Sequence, residues 1–139
     1  MKRRVVLPLL LTVLLLSNCF VALAENSTNY KAKYEHQLYV NRGMVATAVM
    51  ILSWFKNHPE YKKFDSIKSR VEGFYKELDK AKQAHFKALA LAKKQDWKGA
   101  FESLKSEWNY LNDIAVKGKK TQDDLMELEE KQTGGTNEE

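Results

Sequence analysis

PEYKKFDSIKSRVEGFYKELDKAKQAHFKALALAKK, residues 59–94, is the stretch on which the fold turns. Within it Phe64, Ile67, Val71, Phe74, Leu78, Ala81, His85, Ala88 and Ala92 advance by alternating steps of three and four. Such steps return to one face of a helix, so the nine side chains form a single heptad seam along one rod. Pro59 suits a first helical turn, where its missing N–H has no partner to lose, and Glu60 suits the positive end of the helix dipole. Gly73 lies off the seam and costs about 1 kcal/mol relative to alanine, too little to break a pattern of this length. The spacing predicts one helix over 59–94, about 50 Å long at 1.5 Å per residue.

Working outward, the same periodicity recurs on both sides. Upstream, Tyr34, Leu38, Asn41, Val45, Ala48, Leu52 and Phe55 form a stripe on a helix that Ser27 or Thr28 can cap and that reaches about Lys56. Downstream, Asp96 caps a third helix with Trp97, Phe101, Leu104, Trp108, Leu111 and Ala115 on one face. Gly118 is expected to end or kink it. Thr121-Gln122-Asp123-Asp124 then restarts a short acidic helix carrying Leu125 and Leu128. Runs of alternating β-branched residues between turn clusters are absent, so no strand is predicted.

Gln95-Asp96-Trp97-Lys98-Gly99-Ala100 resembles the inter-helix turn of a tetratricopeptide repeat, in which Asp, an aromatic and Ala recur at this spacing. The likeness spans one repeat's length, without the terminal proline or a second copy, and repeat solenoids need several stacked units. It implies a tight helical hairpin here and nothing about the rest of the chain.

Three long helices with short links predict an all-α fold, an elongated antiparallel three-helix bundle running up, down and up, with the short acidic helix at its C-terminal end. The runner-up is a long helical hairpin that completes its core by dimerising. Counted from a turn near Asn57 to His58, residue 85 stands level with about residue 31 and, across the second turn, with about residue 106.

The chain ends carry different signals. Met1-Lys2-Arg3-Arg4, an apolar stretch from Val5 to Leu16 and Ala22-Leu23-Ala24 are the three parts of a secretory signal peptide, with cleavage expected after Ala24. An uncleaved anchor is opposed by Pro8, Ser17, Asn18 and the small-residue site. Leu16-Ser17-Asn18-Cys19 is similar to a lipobox, which would anchor the chain by lipid at Cys19, although Asn18 stands where Gly, Ala or Ser is usual. Cleavage after Ala24 removes Cys19, leaving a bundle over 25–131 with no thiol and a tail, 132–139, expected to be disordered. Export without disulfides favours a periplasm over the extracellular space.

Charge bounds the partners. The first 24 residues hold three basic and no acidic side chains, which leaves 20 basic against 18 acidic. From Thr121 onward the net charge is −6, so the body over 25–120 is +8. A basic body admits peripheral association with an anionic membrane or wall polymer, but its lysines are spread along the chain as on any solvated helix surface. No nucleic-acid motif accompanies them.

Chemistry-bearing patterns are sparse. Gly-x-Ser-x-Gly, a phosphate loop and His-Glu-x-x-His are missing, so no catalytic residues are assigned and the protein is read as a non-enzyme. His85 is the one histidine on the seam; with His36 and Met44 it is a candidate ligand for haem, a metal or an apolar small molecule, while the favoured expectation is a buried His bonded to a hydroxyl, with no cofactor. The larger signal is residues 43–55, thirteen consecutive uncharged residues on the first helix. Apolar groups nearly all round a helix imply burial on more than one side. The height count places only the chain beyond about Lys119 against this end, so Val45, Val49, Met50, Ile51, Leu52, Trp54 and Phe55 are expected to dock a protein partner or a second copy. The function expected is that of an exported scaffold or adaptor, with a covering role for the Thr121–Lys131 helix as the competing reading.

Overall fold

A computed structural model describes residues 6–134, with side chains described from Asn29 onward. The signal peptide, the lipobox and residues 135–139 of the tail fall outside those described side chains. Three helices and one short turn follow in order: α1 (Val6–Asn57), a 3-10 turn (Pro59–Lys63), α2 (Asp65–Lys93) and α3 (Trp97–Gly134). The protein is an all-α bundle of three helices packed against one another, running up, down and up, without strands among the described residues.

Pro59 opens the 3-10 turn and not α2, which starts after the extended Phe64. That change moves the register. Asn41, His85 and Glu107 are joined by hydrogen bonds and so share one height, whereas a tight turn at 57–58 places residue 31 opposite His85. Ten residues of helix correspond to about 15 Å. The apolar run 43–55 accordingly lies opposite Val71, Phe74 and Leu78 of α2 and opposite Leu111, Ile114 and Gly118 of α3. The thin third wall expected from the sequence is a full one.

A second correction concerns Gly118. It neither ends nor kinks α3, which continues to Gly134 and absorbs the separate acidic helix expected from Thr121. Ala100, Leu104, Glu107, Leu111, Ile114, Gly118, Thr121 and Leu125 are all buried and advance by fours and threes, one seam across the glycine. Ile51 packs onto Gly118: a methyl group added there would stand 2.5 Å from Ile51 Cγ2. The glycine provides a close approach between α1 and α3 and is not a terminator. The last turn also extends three residues past the boundary drawn at 131.

The α2–α3 hairpin closes through a Schellman motif. Asp96 N–H donates to Leu91 O and Gln95 N–H to Ala92 O, with Gln95 in the left-handed region at φ 60°. Asp96 then caps α3, its Oδ1 accepting from Gly99 N–H at 2.9 Å, as the sequence predicts. The resulting arrangement is unequal. α3 packs along both other helices, while α1 and α2 meet mainly near the Asn57 end, where Phe55 touches Tyr61 and Phe74. Over the rest of their lengths the two diverge, with α3 behind them.

By length and composition one described stretch, Asn29–Asn57, contains an 18-residue window apolar enough to cross a membrane, with mean hydropathy 1.3 over that window. Core helices meet the same criterion, and Ala48, Leu52 and Phe55 of this one are buried against α2 and α3.

Candidate functional site: a groove between α1 and α2

The divergence of α1 and α2 leaves a groove of ≈ 660 Å³ floored by Glu107 and Leu111 of α3. Its α1 wall is Leu38, Asn41, Arg42, Val45 and Val49; its α2 wall includes Leu78, Lys82, His85, Phe86 and Leu89. Leu38, Arg42, Val45 and Val49 step by four, three and four, as do Leu78, Lys82, His85 and Leu89. Each wall is therefore the edge of a helical stripe, one side turned to α3 and the other to solvent. Val49 is 50% exposed and Phe86 67%, although both are apolar side chains of the groove.

Midway along the floor lies a polar layer. Glu107, with its side chain 4% exposed, accepts from Asn41 Nδ2 at 2.8 Å and contacts His85 Nδ1 at 3.2 Å through both oxygens. Asn41 Nδ2 also donates to Leu104 O at 2.8 Å, and Gln37 Nε2 donates to Asn41 Oδ1 at 2.8 Å. Burying a carboxylate is costly unless it is hydrogen-bonded, and here each helix contributes to that bonding. No buried side-chain polar atom among the described residues lacks a partner. The layer separates two apolar cores, one around Tyr34, Ala88 and Leu104, the other around Phe55, Val71 and Ile114. Burial, and secondarily the Glu107 charge, pushes the Tyr34 phenol above 10.0.

The residues singled out in the sequence divide sharply. Ile51, Leu52 and Phe55 are 9%, 5% and 0% exposed, locked into this chain's own core, and so give no surface to a partner. The cause is the register: α3 lies alongside them where the tight-turn count left a gap. Trp54 is half-buried and stacks on His58 with centroids 4.0 Å apart. Met50 is exposed but lies outside the groove lining. Val45 and Val49 remain, and both line the groove. His85 bonds a carboxylate and not the expected hydroxyl. His36 is exposed and Met44 packs partly buried against the main core, so the three candidate ligands do not converge. Among the described residues no group of three or more His, Cys, Asp or Glu is arranged to hold a metal ion.

Glu107 was missed because the aromatic face Trp97–Phe101–Trp108 outweighed the smaller seam beside it. A signal was present: each of the three true seams carries one central polar residue, Asn41, His85 and Glu107.

With this geometry established, likeness to other proteins adds nothing. No family model matches the chain, and neither does any curated protein or solved structure.

Proposed function

We propose that this protein is a non-catalytic helical binding module, exported as its N-terminal sequence predicts, and that the α1–α2 groove receives the apolar face of a partner helix. One observation carries the reading: two antiparallel helical edges, Leu38–Val45–Val49 and Leu78–His85–Leu89, face each other across a floor with only α3 behind them. A fourth helix laid in that trough would complete a four-helix bundle, the arrangement in which each helix buries one stripe against its neighbours. The exposed Val49 and Phe86 supply the drive, since full burial of such a side chain stabilises by roughly 1.5–3 kcal/mol. Catalysis finds little support in the same lining, which contains no Ser, Thr or Cys beside His85 to act as a nucleophile.

The test is site-specific photo-crosslinking in the producing cell, from position 49 in the groove and from position 126 on α3. A discrete adduct from position 49 only is the expected outcome. Equal labelling from both positions, or none from position 49, would refute the reading.

A second reading draws on His85, whose Nδ1 is held by Glu107 while the ring stays 34% exposed in the groove. A carboxylate-oriented imidazole beside apolar walls suits a haem or another flat apolar ligand. Titration with hemin, followed by absorption, checks it; a Soret shift abolished by His85→Ala would favour this reading over the first.

A further inference from the structure

Resting on the helix-in-groove reading, we infer that the occupant is an acidic amphipathic helix of another protein. One of its carboxylates would sit at Arg42, between apolar anchors on either side. The groove lining contains two cations, Arg42 and Lys82, and a single acid. That acid, Glu107, is buried and already bonded to His85 and Asn41, so it does not neutralise the rim. Arg42 has no carboxylate within ion-pair distance among the described residues. Lys82 meets Asp79 only at 3.5 Å, with side chains 60% and 71% exposed, a pair worth little in water.

Position fixes the pattern that would be recognised. Arg42 neighbours Asn41 and so lies at the height of His85, with Leu38 and Leu89 to one side of it and Val45, Val49 and Leu78 to the other. A matching helix places an acidic side chain about one turn from each of two apolar anchors. Leu38 and Val49 are eleven residue steps apart on α1, about 16 Å, or three turns of an incoming helix. A second copy docking groove to groove would bring Arg42 and Lys82 of both chains together, and like charges across an interface oppose it. A bilayer surface is a poor fit to a trough whose middle is polar.

The probe is a synthetic amphipathic peptide of about fifteen residues with a leucine stripe flanked by glutamates, compared by fluorescence anisotropy with its lysine-flanked counterpart. Binding of the glutamate peptide at least about tenfold tighter, weakened by salt, is expected. Arg42→Glu should invert the preference, and Phe86→Ser should weaken both peptides. Both residues are exposed, so circular dichroism should show unchanged helicity in each variant. Equal affinity for the two peptides, with Phe86 still required, would overturn the acidic assignment and leave the helix-binding reading standing. Binding of neither peptide would overturn both. A concentration-dependent dimer abolished by Phe86→Ser would make the occupant a second copy. Phe86-dependent binding of dodecanoate or of anionic vesicles, without peptide binding, would make it a lipid; either result overturns the proposal.

Discussion

Asn41 has the most consequential side chain relative to its size. Its amide bonds Glu107 and the Leu104 carbonyl from the opposite side of the bundle. Asn41→Leu keeps the branched shape and heavy-atom count but removes the amide, leaving Glu107 buried with His85 alone. Losing a partner of a buried charged group costs about 1–3 kcal/mol. Urea denaturation should show that loss, and an unchanged midpoint would mean the layer contributes nothing to stability. Gln95 presents the opposite case. A non-glycine residue in the left-handed region is disfavoured, and glycine is the usual occupant of this position in a Schellman motif. Gln95→Gly should therefore stabilise the protein by about 0.5–1 kcal/mol in thermal unfolding.

At the scale of the elements, glycine changes meaning with its neighbours. Gly73 and Gly118 both lie inside long helices, where alanine is intrinsically favoured by about 1 kcal/mol. A methyl group at Gly73 meets nothing within 4 Å, so Gly73→Ala should raise stability by most of that amount. At Gly118 the methyl would meet Ile51 Cγ2, a branch fixed close to the backbone that cannot swing away without moving α1. Overpacking of this kind costs about 1–3 kcal/mol, so Gly118→Ala should destabilise the protein despite its helix propensity. Chemical denaturation of the two variants in parallel tests the sign of each. Helix periodicity was legible for α1 and α2: the 64–92 seam and the α1 stripe are found in the structure, as is the Asp96 cap, while the buried seam of α3 runs beside the face expected for it. Misread were the points where local signals compete. Pro59 fits a first α-turn and a 3-10 turn equally well, and a glycine in a helix is locally indistinguishable from one that ends it.

Across the whole molecule, α2 and α3 are tied at the far end by Arg70 and Asp124, with Lys120 also on the carboxylate. Hydrogen bonds from Arg70 first and Lys120 second hold the Asp124 carboxyl below 3.8. A depressed carboxyl contributes stability above its unfolded value and loses it as the pH falls through the folded one. The contribution should therefore disappear below about 3.8. Arg70→Met should lower stability near neutrality and leave it little changed at the acid end, flattening the acid limb of stability against pH, as followed by circular dichroism. An unaltered acid limb would show that the bridge is not linked to folding.

By itself the sequence determined that the chain is helical, how many long rods it makes and, on α1 and α2, which edge is apolar, because these follow from a 3.6-residue repeat acting on neighbours. Tertiary structure alone decided how the rods slide against one another. A 3-10 turn in place of a tight link shifts α1 by about 15 Å against its partners. That shift buries Ile51, Leu52 and Phe55, brings Asn41 to Glu107 and His85, and leaves Val45 and Val49 lining a groove. Register depends on contacts between residues far apart in the chain, and no local periodicity encodes it.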